Sequence, residues 1–186
     1  MAFDLSNLIR GKQPKPPRVV LYAGHGIGKS TFAASAPSPI FIQTEDGLGN
    51  IDTTAFPLAT TFSEVIEALD TLIGQEHDFQ TVAIDSLDWM EQLIWFDIEQ
   101  RYSERETAYG KGSMIAVDNY WRPVLDRLNL LRNQRSMAVI LLAQPAVLAS
   151  QRGEFLHFAH GVAHGLDRLG QRGIDGDQGI GQRVAH

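Results

Sequence analysis

Cysteine is absent from the 186 residues, which excludes disulfides, thiolate metal sites and a cysteine nucleophile. Long apolar runs are also missing. The longest, Met137 to Ala143, is too short to span a bilayer, so no membrane association is expected. Positive charge is scarce, with 16 Lys and Arg against 22 Asp and Glu and a net charge of −6. That balance argues against a globally basic nucleic-acid binder but leaves room for a local patch. No signal peptide is visible, and a cytoplasmic setting is expected. What remains is a 44% hydrophobic composition at a length that suits one α/β domain.

The most informative stretch is Ala23-Gly24-His25-Gly26-Ile27-Gly28-Lys29-Ser30-Thr31. It fits G-x-x-x-x-G-K-S/T with Ala23 in place of the first glycine, a change that costs little if residue 23 keeps ordinary dihedrals. Before it, Arg18 to Tyr22 reads as a buried strand; after it, Lys29 to Ala36 suits a helix. A triphosphate concentrates negative charge that several donors must meet at close range. Gly24, Gly26 and Gly28 allow unusual backbone dihedrals with N–H groups turned inward, and the helix start adds partial positive charge. In that chemistry His25 and Ile27 belong to the ATP-binding loop, Lys29 reaches the β- and γ-phosphates, Ser30 ligates Mg2+, and Thr31 faces the α-phosphate.

Further acids gather at strand ends. Ile40-Phe41-Ile42 forms a second strand running into Glu45 and Asp46, and Glu45 is placed to orient a water toward the γ-phosphate. Thr81 to Ile84 is an apolar strand ending in Asp85, where a phosphate-loop protein carries the carboxylate that assists magnesium. Met137 to Ala143 is another buried strand, and Gln144 at its tip can hydrogen-bond the γ-phosphate.

The helices between these strands follow from periodicity. Val65, Ile66, Leu69, Leu72 and Ile73 make an amphipathic helix over Ser63 to Ile73, with Thr61 and Glu64 at capping-box spacing. From Leu87 to about Tyr102 apolar residues wrap most of the circumference, so the helix is either fully covered or presents an aromatic face to a partner. Ser103 to Ser113 reads as a polar, glycine-containing loop, in which Tyr109 could stack on a base and Lys111 meet a phosphate. Ser113 to about Arg135 is a helix with Met114, Val117, Trp121, Leu125, Leu128 and Leu131 on one face, kinked or restarted at Pro123. Arg122, Arg127, Arg132 and Arg135 read mainly as a solvated outer face, with DNA contact as the alternative.

With these residues in place the chain resembles the RecA-like ATPases, within the AAA-type ATP-binding proteins, and more closely phage-encoded members that act with single-stranded DNA in recombination and annealing. The resemblance covers about Arg18 to Gln144 and rests on the phosphate loop, Thr44-Glu45-Asp46-Gly47-Leu48, Asp85-Ser86-Leu87-Asp88-Trp89, Tyr109-Gly110-Lys111-Gly112 and Gln144. It implies an α/β fold with a mostly parallel sheet flanked by helices. It also implies that Glu45 activates water, Asp85 assists Mg2+, Gln144 senses the γ-phosphate, residues 104 to 113 contact single-stranded DNA, and the protein self-associates as a ring or filament. Two other readings stay open: a small-molecule kinase, for which Arg101 and Arg105 could be lid residues, and a nucleotide-binding module without turnover.

The ends depart from this core. Residues 1–17 form an extension with the proline-rich basic run Gly11 to Pro17, either a solvated lead-in or a partner contact. Residues 145–186 are rich in glycine and histidine, lack lysine and show no sustained apolar period, so a poorly ordered tail at a truncated or frame-shifted end is expected. Within it His157, His160 and His164 have helical spacing for zinc but lack the glutamate of H-E-x-x-H, and Asp175-Gly176-Asp177 opens like a calcium loop without the later acids.

Overall fold

The computed structural model describes residues 11–12 and 14–144, so the readings made for the tail, its histidines and Asp175-Gly176-Asp177 lie outside the described residues. Five parallel strands form one sheet: β1 (Arg18–Tyr22), β2 (Pro39–Gln43), β3 (Thr54–Ala55), β4 (Thr81–Asp85) and β5 (Ala138–Ala143), in the order β1-β5-β4-β2-β3. Among the described residues six α-helices accompany them: α1 (Lys29–Ala34), α2 (Phe62–Gly74), α3 (Leu87–Arg101), α4 (Glu104–Thr107), α5 (Lys111–Ile115) and α6 (Arg122–Gln134). This is the expected α/β class, with a parallel sheet and flanking helices.

Side-chain alternation divides the sheet into two buried faces. Phe41, Ala83 and Ile140 lie in register across β2, β4 and β5, and join Ala33 of α1, Leu48 and Leu142 in one core cluster. Ile42, Ile84 and Leu141 form the next row and are also buried. A parallel strand covered on both faces reads as a continuous apolar run, which is why Thr81 to Asp85 is buried at every position. α2 begins with the anticipated capping box, Thr61 Oγ1 accepting from the Glu64 N–H and the Glu64 carboxylate accepting from the Thr61 N–H.

Five local expectations are corrected. β1 is an edge strand among the described residues, pairing only with β5, with Val20 42% and Tyr22 56% exposed. Its apolar letters cannot reveal how many neighbours it has. α3 buries only Met90, Ile94 and Ile98, leaving Trp89 and Phe96 exposed, so the fully covered reading fails. The segment from Ser103 to Ser113 is built from the short helices α4 and α5 rather than a plain loop.

The helix expected from Ser113 to Arg135 contains a π-helical segment at Ala116–Trp121, ahead of Pro123 near the start of α6. The buried residues Gly112, Ala116, Tyr120, Val124 and Leu128 recur every fourth position. On a pure α-helix such a run drifts about 40° per step around the axis; the wider π turn offsets part of that drift. Met114, placed on the apolar face by an α-helical period, is instead 66% exposed, and Val117 is exposed too.

The arginines are not a plain solvated face. Arg127 makes a two-pronged bond to Asp70 at 2.7 and 3.0 Å, Arg135 donates to the Ile73 and Gln75 carbonyls, and Arg132 Nε donates to the Pro16 carbonyl at 2.6 Å. Arg122 remains exposed, beside Asp118 in its own helix.

Candidate functional site

Because all five strands run the same way, their carboxyl ends open on one edge of the sheet, where open parallel sheets place ligands. The loop after β1, the turn after β2, the start of α3 after β4 and Gln144 after β5 meet there. The sequence-predicted residues His25, Gly26, Gly28, Lys29, Ser30, Thr31, Glu45, Asp85 and Gln144 line one cavity of about 280 Å3, together with Gly47 and Ile51. Gly24 and Ile27 do not line it. Gly24 takes part through its carbonyl, and Ile27 is 71% exposed.

Within the phosphate loop, positive φ is confined to Gly26 at 73° and Gly28 at 94°, the latter capping α1. Neither Gly24 nor Ala23 adopts it, so the first position of the motif has no need of glycine. The Lys29 side chain is buried, and its Nζ donates to the Ala23 carbonyl at 2.8 Å and the Gly24 carbonyl at 2.9 Å. The ammonium is thereby held inside the bend of the loop.

Ser30 Oγ donates to Asp85 Oδ2 at 2.5 Å, joining the phosphate loop to the end of β4 across β5. Burial, first, pushes the Asp85 carboxyl above its ordinary pKa; the Ser30 bond opposes this, the Glu45 charge adds to it, and the Lys29 charge opposes it. Ser30 Oγ and Asp85 are oxygen donors side by side, the chemistry Mg2+ selects. Among the described residues no group of three or more acidic or histidine ligands could hold a metal. The donor set therefore fits an ion that brings phosphate and water ligands with it.

On the other side of Asp85 lies a second hydrogen-bond chain. Thr44, buried at the end of β2, donates through Oγ1 to the Ser86 carbonyl at 2.6 Å and accepts the Ser86 N–H at 2.9 Å. Ser86 Oγ donates to Glu45 Oε2 at 3.3 Å, and Gln144 Nε2 donates to the same oxygen at 3.2 Å. The Gln144 N–H in turn donates to Asp88 Oδ2 in the first turn of α3 at 2.7 Å. Thr44, Ser86 and Asp88 had no role assigned from sequence. Their signal was their place beside the acids in the two stretches that carry the resemblance, and their partners are 41 to 56 residues away in the chain.

Tyr109 is fully exposed at φ 54°, between α4 and α5, and Lys111 is exposed at the start of α5. Neither lines the cavity. Arg101 pairs with Asp97 at 2.8 Å within its own helix. No helix among the described residues is long and apolar enough to cross a membrane.

No curated protein matches the sequence. Among solved structures, the crystal structure of the RadB recombinase is similar over 74% of this chain and 66% of that one, at 16% identity and a TM-score of 0.46. A family model described as an AAA domain matches residues 15–146, from the proline-rich lead-in through β5 and Gln144. That match takes in every residue of the cavity and most of the chain, and the protein belongs to the AAA domain family.

Proposed function

We propose that the protein binds ATP with Mg2+ and hydrolyses it, and that it acts in recombination or annealing of single-stranded DNA, of the kind phages encode. The observation that carries the reading is the convergence of Lys29, Ser30, Asp85, Glu45 and Gln144, from four separate chain segments, on one cavity behind a phosphate loop. The loop N–H groups and Lys29 Nζ meet the phosphate charge. Ser30 and Asp85 hold the ion, which when bound neutralises charge on the phosphate oxygens.

Glu45 Oε2 is taken by Ser86 and Gln144, which leaves Oε1 to accept the proton of a water and aim its oxygen at the γ-phosphorus. The new bond is water oxygen to γ-phosphorus, and the bond that breaks joins that phosphorus to the oxygen of the departing ADP. Gln144, bonded to the same carboxylate, is placed to exchange that bond for one to the γ-phosphate and so to report its presence. The exposed Tyr109 and Lys111 form the DNA-facing end, stacking on a base and pairing with a phosphate. A small-molecule kinase would need an arginine lid. The pairing of Arg101 with Asp97 speaks against that role, and among the described residues no arginine lines the cavity.

The test is phosphate release from ATP with and without single-stranded DNA, beside Lys29→Ala. Release that DNA stimulates and the variant lacks supports the proposal. Tight nucleotide binding without release would reduce the protein to a binding module, and transfer of phosphate to a small acceptor would make it a kinase.

A further inference from the structure

The acidic chain carries one region from which acids are missing. No Asp or Glu occurs between Asp4 and Glu45, nor between Asp126 and Glu154. The fold brings parts of these two stretches together, because β1 pairs with β5 and the lead-in to β1 lies along the end of α6. Lys15 Nζ donates to Asn133 Oδ1 at 3.2 Å, Arg132 Nε donates to the Pro16 carbonyl at 2.6 Å, and the Val139 N–H donates to the Pro17 carbonyl at 3.0 Å. The lead-in is therefore tied down rather than merely solvated.

Its cations have a period. Lys12, Lys15 and Arg18 stand three residues apart, and Pro14, Pro16 and Pro17 occupy positions between them. Proline fixes its own φ, and a residue before proline is pushed to extended backbone, so Lys15 to Pro17 is confined to the polyproline region. That helix has three residues per turn and a rise of about 3.1 Å, so Lys15 and Arg18, at the two ends of this run, fall on one side about 9 Å apart. Arg18 and Arg132 are close enough that, after the partial burial of Arg18, the charge of Arg132 is the next cause lowering its pKa. None of Lys12, Lys15, Arg18 and Arg132 has a carboxylate within ion-pair distance among the described residues. The nearby Arg135 differs, pairing with Glu76.

We propose that Lys12, Lys15, Arg18 and Arg132 form a phosphate-backbone track for a single nucleic-acid strand, at the edge of the sheet opposite the nucleotide cavity. Evenly spaced cations on a stiff support suit a linear polyanion. A lipid surface would reward large apolar side chains set among the basic ones, and here those positions hold Gln13 and three prolines. The track is one β1 length, roughly 15 Å, from the phosphate loop, so it engages the strand without nucleotide. It is additional to Tyr109 and Lys111 and stands even if ATP is never turned over.

The experiment is fluorescence anisotropy of a labelled poly-dT strand without nucleotide, titrated across salt concentrations. Each lost phosphate contact flattens the plot of log affinity against log salt by about 0.7 for a single strand. Lys12→Gln/Lys15→Gln/Arg18→Gln is expected to weaken binding at low salt and flatten the slope by about 2. Lys12→Arg/Lys15→Arg is expected to keep both. An unchanged thermal midpoint for the triple variant shows that it folds; should it unfold, Lys12→Gln/Lys15→Gln, at two exposed side chains before β1, is read instead, with about 1.4 of slope expected to go. The proposal is overturned if the wild-type chain does not bind the strand, if the slope survives the glutamine substitutions while Lys111→Gln abolishes binding, or if anionic vesicles are bound and the oligonucleotide is not.

Discussion

Replacing Glu45 with glutamine separates chemistry from folding. Its Oε2 accepts from Ser86 Oγ at 3.3 Å and from Gln144 Nε2 at 3.2 Å, both long bonds, and a glutamine carbonyl oxygen at the same place can accept both. The folding cost is therefore at most that of one ordinary hydrogen bond, about 1 kcal/mol. Removing the charge also takes away one of the influences raising the Asp85 pKa, which favours the folded state at neutral pH. Loss of a general base lowers turnover by about 100- to 10,000-fold, equivalent to roughly 3–5.5 kcal/mol in the barrier. The two scales differ enough for a pair of assays to tell them apart. Phosphate release at saturating ATP should collapse in Glu45→Gln, while the thermal midpoint and the affinity for a fluorescent ATP analogue stay near wild type. Release within about threefold of wild type, with the fold intact, would refute the assignment of Glu45 as the base.

Other expectations follow from neighbouring contacts. A carboxyl whose pKa is raised on folding binds its proton more tightly in the folded chain, so Asp85 costs stability as pH rises from the unfolded carboxylate range through its raised folded value. Asp85→Asn without nucleotide should then melt higher than wild type at neutral pH, the difference shrinking in acid, and should lose the further stabilisation that Mg-ATP gives; a lower midpoint at neutral pH contradicts this. Asp88→Ala removes the acceptor of the Gln144 N–H and should lower turnover about 10- to 100-fold through misplacement of the strand tip. Nucleotide affinity should hold and Asp88→Asn should restore much of the loss, whereas full activity in the alanine variant would show that the contact positions nothing. Arg127→Ala breaks the two-pronged bond between α6 and α2, which is partly exposed. It should cost about 0.5–1 kcal/mol, read as a fall in the thermal midpoint of about 2–4 °C per kcal/mol, with turnover unchanged.

What could be read from sequence was what depends on near neighbours. The phosphate loop, the apolar strands ending in Asp85 and Gln144, and the Thr61–Glu64 cap are each written within about ten residues, and the structure places them where expected. What depends on distant partners was not legible. Arg18 to Tyr22 spells a buried strand, yet among the described residues the sheet order gives it one neighbour. Thr54–Ala55, two residues beside β2, carries no pattern at all. Met114 and Val117 were placed by an α-helical period that the π turn before Pro123 breaks. Arg127, Arg132 and Arg135 look like a polar face until α2 and the lead-in are brought against them. The site shows the same division: Glu45, Asp85 and Gln144 were recognisable by position at strand ends, whereas Thr44, Ser86 and Asp88 became visible only through bonds across the sheet.

Those cross-sheet bonds give the site a direction. Ser30 reaches Asp85, so the phosphate loop and β4 are coupled at the end where the metal would sit. Ser86, next in sequence, reaches Glu45; Glu45 is held by Gln144; and the Gln144 backbone is held by Asp88 at the start of α3. A γ-phosphate that draws the Gln144 amide away from Glu45 would free the carboxylate and load the Gln144–Asp88 bond in one movement. Its effect would reach the first turn of α3, whose outer face carries the exposed Trp89 and Phe96. The pairwise order of loss in variants follows from this arrangement. If Gln144→Ala and Asp88→Ala act through the same strand tip, their double variant should lose little more turnover than the worse single one. Fully multiplied losses would mean that the two side chains act independently and that no such coupling runs through residue 144.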